Sequence, residues 1–147
     1  MRDYACERLY RDARITSIYE GTTQLQVVAA LRYVTSGVYS QYVKDMLATL
    51  PDSESKAVIS AMVEKLDAMT AHVMELKETE LTDFCGRRLM ESAAYSVMCT
   101  LLLRDSIETP DLFDKSLKVF MDYAVSQLEG HYRAVMSWTP ESIEYYK

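Results

Sequence analysis

Hydrophobic residues recur along most of the chain at the three- and four-residue steps of an amphipathic helix. Residues from about 52 to 79 carry a heptad-like seam of Ile59, Met62, Leu66, Met69, Val73 and Leu76. Residues after Pro110 carry a second seam of Phe113, Leu117, Phe120, Ala124, Leu128, His131 and Val135. The segment from about 81 to 106 is apolar on more than one side, which predicts the most deeply buried helix.

Helix-breaking residues divide the chain into five or six predicted helices. The first is predicted over about 4–17 and the second over about 23–50, with a bend at Ser36-Gly37. The seam of the second helix is Leu31, Val34, Val38, Tyr42, Met46 and Leu50. A short final helix is predicted over about 140–146. Because short connections make neighbouring helices reverse, the pattern predicts an all-α fold: an antiparallel, up-down bundle of about four long helices preceded by a shorter one.

Composition and charge narrow the function classes. The chain has only 4 glycines and 3 prolines among 147 residues, too few for a β-sandwich or barrel. Its net charge of -6 argues against nucleic-acid binding. The acidity lies in residues 51–147, which carry ten basic and seventeen acidic side chains, so docking on an anionic membrane is only weakly supported. Three cysteines do not make a disulfide framework, and we expect a reducing, cytoplasmic compartment.

Most reactive side chains of the predicted bundle favour structural interpretations. A di-metal bundle site needs Glu-x-x-His pairs, and neither His72 nor His131 has a glutamate three residues before it, so we predict no metal site. Arg87 has Glu91 one turn later, which favours a solvated ion pair. The two later cysteines lie on apolar helical faces and are expected to be small buried hydrophobes.

The segment between the first two helices is the exception. It contains Ile18, Tyr19, Glu20, Gly21, Thr22, Thr23 and Gln24. Apolar neighbours would desolvate the Glu20 carboxylate and raise its pKa towards that of a general base. Gly21 allows close approach of backbone to a ligand, and amides at the start of the next helix suit an anion or the polar edge of a cofactor. A simple helix-capping turn explains the same residues, and this alternative stays open.

Residues 7–15, Glu-Arg-Leu-Tyr-Arg-Asp-Ala-Arg-Ile, followed by Ile18 to Thr22 and then Gln24, resemble the acyl-CoA dehydrogenase family. The resemblance spans about residues 4–35, the part that carries the active-site base in that family. It implies that Glu20 removes the α-proton of an acyl-CoA thioester while the β-hydride passes to FAD. It further implies substrate contacts at Tyr19 and Gly21, and FAD contacts at Thr22, Thr23 and Gln24.

The resemblance also implies a domain organisation. Residues 1–35 would be the C-terminal end of the catalytic helical domain, and residues 36–147 a helical-bundle extension like that of larger, long-chain-type members. The parent protein would then be an FAD-dependent dehydrogenase, a dimer that uses acyl-CoA and an electron-transfer acceptor. The isolated chain would be inactive and hold no FAD, and the apolar side of residues 4–35 would be exposed, swapped or dimerised. The alternative is a non-catalytic helical oligomerisation or docking module.

Overall fold

The structure, a computed structural model, describes residues 6–15 and 23–146 of the chain. It contains the α-helices α1 (Cys6–Arg14), α2 (Thr23–Thr35), α3 (Val38–Thr49), α4 (Glu54–Leu76), α5 (Thr79–Glu108) and α6 (Pro110–Ser137). A 3₁₀ helix, Pro140–Tyr146, follows α6. No strand occurs within these described ranges, and the predicted all-α class is confirmed.

Two core clusters show how the helices run. The first core cluster joins the ends of α4 and α6, the start of α5, and α2; it includes Val34, Met69, Val73, Cys85 and Val135. The second joins the starts of α4 and α6, the end of α5, and α3; it includes Val43, Ile59, Cys99, Leu103 and Leu117. Helices α2 and α3 therefore run in the same direction along the bundle, and α4, α5 and α6 each run antiparallel to the helix before. This is the predicted up-down arrangement.

The central helix is α5, which packs on α2, α3, α4, α6 and the 3₁₀ helix. The prediction that it is the most buried helix is confirmed. Its buried face is made largely of small side chains, including Cys85, Gly86, Ser92, Ala93, Ser96, Cys99 and Thr100. The large apolar residues of this helix differ in burial, since Leu103 is 4% exposed and Met98 is 47% exposed. Small side chains on the central helix allow the surrounding helices to approach it closely.

The predicted second helix is not continuous, and two of the six positions in its predicted seam are exposed. Gly37 adopts a left-handed conformation with φ 77°, which favours glycine, and it separates α2 from α3. The turn shifts the helical phase after it. Leu31 and Val34 are buried as predicted, whereas Val38 and Tyr42 are exposed. The buried residues of α3 are instead Ser40, Val43 and Leu47.

The seams of the two long predicted helices are correct. In α4 the first five predicted positions are buried and Leu76 is half-buried. In α6 the buried positions are Leu117, Ala124, Leu128 and Val135. Local signals set their ends: the Ser53 side chain accepts a hydrogen bond from the Lys56 N–H at 3.2 Å, and Pro110 occupies the first turn of α6.

Candidate functional site

The sequence-predicted site lies at the junction before α2. Tyr19, Glu20, Gly21 and Thr22 fall outside the described residues. Thr23 and Gln24 form the first turn of α2, and only their backbone is described. The structure therefore shows how the helix that directly follows the predicted base is held, and it leaves the roles of these six residues as predictions.

The inner side of α2 is anchored in the bundle. Val27, Leu31 and Val34 are 1%, 7% and 2% exposed. They lie on one side of the helix at steps of four and three residues, as an amphipathic helix requires. Gly86 of α5 faces this side: a Cβ built on it would lie 3.1 Å from Cδ2 of Leu31 and 3.6 Å from Cγ1 of Val27. The start of α2 thus belongs to a helix packed tightly on the centre of the bundle.

The outer sides of α1 and α2 carry exposed apolar side chains. In α1 no residue is buried, and Leu9 and Tyr10 are 71% and 66% exposed. In α2, Leu25, Val28 and Tyr33 are 60%, 51% and 43% exposed. The predicted exposure of apolar side chains therefore holds for the described part of α1 and for one side of α2, whereas Val27, Leu31 and Val34 of α2 are buried against the bundle. Large exposed apolar side chains are typical of surfaces that contact another part of a protein.

A cleft of about 520 Å³ lies beside α2, next to the connection between α4 and α5. Its apolar lining is formed by Val28, Leu31, Val73 and Met74. Its charged lining consists of Arg32, Lys77, Glu78 and Asp83, two residues of each sign. The opposite charges offset one another, so the lining gives no net attraction for an anion or a cation.

The two buried cysteines match their prediction. Cys85 and Cys99 are free thiols with 0% exposure. Burial raises the pKa of Cys85 to about 11, partly offset by Arg88, and raises the pKa of Cys99 to about 12. Both thiols are therefore protonated near neutrality and lack the thiolate needed for nucleophilic chemistry. Cys6, on α1, is exposed.

His131 lies in a polar network between α5 and α6. Its Nδ1 is 3.2 Å from the Ser92 hydroxyl, its Nε2 is 3.4 Å from a Glu91 carboxylate oxygen, and its ring stacks on Tyr95. Burial lowers the pKa of His131, and Glu91 partly opposes that shift. The order serine, histidine, carboxylate resembles a catalytic relay, but Ser92 is 0% exposed and donates its proton to the Arg88 carbonyl at 2.7 Å. The network joins two helices and has no accessible nucleophile.

The remaining predicted structural roles hold with one addition. Arg87 Nε donates to Glu91 at 2.8 Å, so the predicted ion pair is confirmed. His72 lies 3.2 Å from the Trp138 carbonyl oxygen. Sequence reasoning missed that the Arg88 guanidinium lies 4.5 Å from the centre of the Trp138 ring. Spacing within one helix gives no signal for this contact, because Trp138 reaches α5 from the end of α6.

The described residues form neither a metal-binding cluster nor a membrane-spanning helix. Within residues 6–15 and 23–146, no three His, Cys, Asp or Glu side chains are grouped so that they could hold a metal ion. Over that same part of the chain, the helices lack the combination of length and apolarity that crossing a membrane requires.

Comparison with known families assigns both segments of the chain. Residues 35–143 match the family described as acyl-CoA dehydrogenase C terminal. Residues 1–34 match the family described as acyl-CoA dehydrogenase, C-terminal domain. The chain belongs to the acyl-CoA dehydrogenase family, as a C-terminal part of such a protein, and the resemblance seen in the sequence is confirmed.

Individual relatives agree with this assignment. A protein named acryloyl-CoA reductase (NADH) from Anaerotignum propionicum is 56% identical over 34 residues, which are 23% of this chain and 9% of the relative. An acyl-CoA dehydrogenase from Bacillus subtilis (strain 168) is 49% identical over 37 residues, 25% of this chain and 10% of that protein. The matched stretches of the chain thus cover about a tenth of the length of these curated relatives.

A solved structure resembles the bundle. It is the crystal structure of the acyl-CoA dehydrogenase family protein from Porphyromonas gingivalis, with a TM-score of 0.69 and 28% sequence identity. The match covers 76% of this chain and 99% of that chain. Nearly the whole of a solved family chain is therefore a helical structure of this kind.

Proposed function

We propose that this chain is the C-terminal part of an FAD-dependent acyl-CoA dehydrogenase, in which Glu20 is the catalytic base. The observation that carries the proposal is the family match over residues 1–34, which contains the complete run from Tyr19 to Gln24. The last two residues of this run are the first two residues of α2, which supports the proposal because a base needs a fixed attachment to rigid structure.

The chain's own residues would act on one proton. The Glu20 carboxylate takes the α-proton of the thioester substrate, and its backbone N–H polarises the thioester carbonyl, which makes that proton acidic enough to remove. Tyr19 excludes water on one side of the carboxylate, and the absence of a side chain at Gly21 leaves room for the substrate.

Thr22, Thr23 and Gln24 are proposed to hold the cofactor. The structure offers one observation on this fit: α2 begins at Thr23, and the first amides of a helix have no partner within the helix. Together with threonine hydroxyls and a glutamine amide, such donors suit the polar edge of a flavin. A bound flavin would supply the hydride acceptor.

The domain organisation is part of the proposal. Residues 1–35 complete a catalytic helical domain and residues 36–147 form an extension to it. The exposed apolar sides of α1 and α2 support this division, because the bundle leaves them uncovered. The isolated chain is then inactive, since a base without a flavin and an acyl pocket has no reaction to catalyse. We further propose a dimeric parent protein in a reducing, cytoplasmic compartment.

The direction of the reaction is left open by the relatives' names. One is named a dehydrogenase and the other an NADH-dependent reductase. A carboxylate that removes an α-proton in one direction returns it in the other, so Glu20 serves both. The assay should therefore test oxidation of saturated acyl-CoA with an artificial acceptor and reduction of enoyl-CoA with NADH.

Glu20→Gln in the full-length protein is the decisive variant. It should retain flavin absorbance and lose turnover by roughly 10²–10⁴-fold, the usual contribution of a positioned acid or base. Glu64→Gln is the matched control, because Glu64 is an exposed residue on α4. Activity is measured with short-, medium- and long-chain acyl-CoA thioesters. Undiminished turnover in Glu20→Gln would contradict the assignment of the base.

The alternative, a non-catalytic helical module, is favoured for the isolated chain by one observation. The match to this chain covers 99% of the solved chain from Porphyromonas gingivalis, so a helical unit of this kind exists as a separate structure. Titration of the purified 147-residue chain with FAD distinguishes the cases. Absence of binding agrees with an inactive module, whereas stoichiometric binding would show that the chain holds the cofactor unaided.

A further inference from the structure

We infer that two copies of this chain pair through the outer face of α6, with their α6 helices antiparallel about a twofold axis. The outer face consists of six exposed residues, Leu112, Ser116, Val119, Tyr123, Ser126 and Gly130. The inference gives a surface to the proposed dimer, and it is independent of the role of Glu20.

The outer face carries large apolar side chains that the bundle leaves uncovered. Its residues recur at steps of four and three, so they lie on one side of α6, and none of them is charged. Leu112, Val119 and Tyr123 are 68%, 73% and 52% exposed. Helix α6 packs on α5 and α4 by its opposite side, so this side is available to a partner.

Large and small residues are distributed along the outer face so that a second α6 fits it. Leu112, Val119 and Tyr123 lie towards its start, and Gly130 lies at its end. In an antiparallel pair, the start of one helix lies on the end of the other. A pairing centred near residue 121 places Leu112 opposite Gly130 of the other copy, and Val119 opposite Tyr123 of the other copy. The largest exposed side chains then meet open space or one another.

Gly130 is the open position of this face. A Cβ built on it meets nothing within 4 Å, although Gly130 lies inside the 28-residue α6. Glycine inside a helix lowers the stability of the helix relative to alanine, and no contact in the described chain requires it here. A second helix supplies that requirement, because the missing side chain leaves room for Leu112 of the other copy.

The charges along one edge of the outer face are self-complementary too. In chain order this edge carries Asp111, Lys115, Lys118, Asp122, Glu129 and Arg133. Their signs run negative, positive, positive, negative, negative, positive, and the reversed order has the opposite sign at every place. A twofold axis between antiparallel helices brings the same edge of each helix together. Each charge of one copy therefore meets an opposite charge of the other.

The charges and the apolar residues select the same register. Pairing Asp111 with Arg133, and Lys115 with Glu129, gives a common centre at residue 122, one position from the centre of the apolar pairs. Two independent patterns thus agree on one antiparallel arrangement. A generic apolar partner would require neither the order of the charges nor their common centre.

The area of the outer face sets the expected affinity. A helix of 28 residues is about 42 Å long, and a face about 10 Å wide along it offers roughly 400 Å². This is about half of the 800 Å² that each partner buries in a specific complex of standard size. Tyr95 of α5 extends the face, since its ring packs against that of Tyr123 with centroids 5.8 Å apart. We expect a weak, reversible dimer with a Kd on the order of 10 µM.

Sedimentation velocity of the 147-residue chain, from about 1 to 300 µM, measures this dimer. Val119→Glu places a carboxylate on the outer face and should raise the Kd at least tenfold, on the order of the cost of an unpaired charge in an interface. Val28→Glu is the matched control, because Val28 is a 51% exposed valine on α2. It should leave the Kd unchanged.

Gly130→Leu separates pairing from folding. The substitution favours the helix of the single chain, so the unfolding temperature at low concentration should stay the same or rise. It also fills the space opposite Leu112, so the Kd should rise at least tenfold. A variant that was merely misfolded would not show these two changes together.

An exchange of charges tests the register. Asp111 and Arg133 suit it because both are exposed, whereas Glu129 already binds Lys65 within the chain. Asp111→Arg and Arg133→Asp should each raise the Kd about tenfold, because two ion pairs of the dimer become two repulsions. The variant that combines both restores the attraction, and its Kd should return to within about threefold of wild type.

Three results would overturn the inference. The first is a wild-type chain that stays monomeric over the whole concentration range; disruption of the full-length protein by Val119→Glu would then assign the face to another domain of that protein. The second is a dimer that Val28→Glu weakens and Val119→Glu leaves intact, which would place the pairing on α2. The third is a combined charge variant that pairs no better than the two single variants, which would exclude the antiparallel register.

These outcomes are distinct from those that test the proposed function. The measurements of the dimer use neither flavin nor turnover. A fully active Glu20→Gln variant would overturn the proposed base and leave the pairing of α6 standing. A monomeric chain would overturn the pairing and leave the proposed base standing.

Discussion

Val38 and Val43 provide a direct test of how α3 is oriented. The hydrophobic pattern of an uninterrupted helix predicts Val38 in the core, whereas the structure leaves Val38 52% exposed and Val43 1% exposed. Both are valines of the same helix, so Val38→Ala and Val43→Ala make the same chemical change. The difference in stability between the two variants therefore reports mainly the difference in burial.

The expected difference follows from the second core cluster, to which Val43 belongs. Val43→Ala removes two methyl groups' worth of packing at about 0.8 kcal/mol each and leaves a small cavity, so the free energy of unfolding should fall by about 2 kcal/mol. Val38→Ala removes little buried surface and replaces a β-branched residue by the best helix former. Its effect should lie within about 0.5 kcal/mol of zero, with either sign.

Urea unfolding of the 147-residue chain, followed by circular dichroism, gives both values. Val43→Ala should lower the midpoint while the denaturant dependence stays unchanged, with a fall in Tm of roughly 6 °C at this chain length. A larger loss in Val38→Ala than in Val43→Ala would refute the reasoning. It would show that the helix continues through Gly37 with the phase of the original pattern.

Three further predictions concern the bundle. In the native chain, Cys6 should react with iodoacetamide at neutral pH well before Cys85 and Cys99, which burial keeps protonated. Mass spectrometry follows the alkylation of each cysteine, and Cys85 and Cys99 reacting as fast in the native chain as in the denatured chain would contradict this. Because burial lowers the pKa of His131 from 6.5, stability from this group is fully present above about pH 6.5 and is lost as the pH falls below it. His131→Gln should flatten that part of the unfolding profile, and an unaltered pH dependence would argue against the assignment. Arg88→Ala should change the fluorescence of the chain's single tryptophan, which the guanidinium covers at 4.5 Å, whereas Arg88→Lys should change it less.

Periodicity predicted the long helices because their stripes are regular. The seams of α4 and α6 repeat hydrophobic residues over many turns, and each stripe alone indicates its buried side. The seam before Pro51 failed for a local reason, since a single left-handed glycine resets the phase and the residues after it still fit a helix. Of the two candidate phases, only the contact of Val43 with neighbouring helices selects the correct one.

The local residues of the candidate site could be predicted from the sequence, whereas its long-range contacts could not. The run from Tyr19 to Gln24 is a local signature, so its family could be read from the sequence and was confirmed by the family matches. The contact between Gly86 and Leu31 joins residues 55 positions apart on different helices, and no local pattern reports it. Mid-helix glycine was the available signal, but Gly130 shows that this signal alone does not identify a close contact.

The small buried face of α5 has a consequence for how such domains diverge. Its positions limit the size of a side chain more than its polarity, because the buried hydroxyls of Ser96 and Thr100 donate to carbonyls one turn earlier in their own helix. At the positions now held by Ser92, Ala93, Ser96, Cys99 and Thr100, another small side chain is therefore a closer substitute than leucine. Related chains would exchange these small residues with one another, so the buried side of α5 would vary in polarity from chain to chain while its side chains stay small.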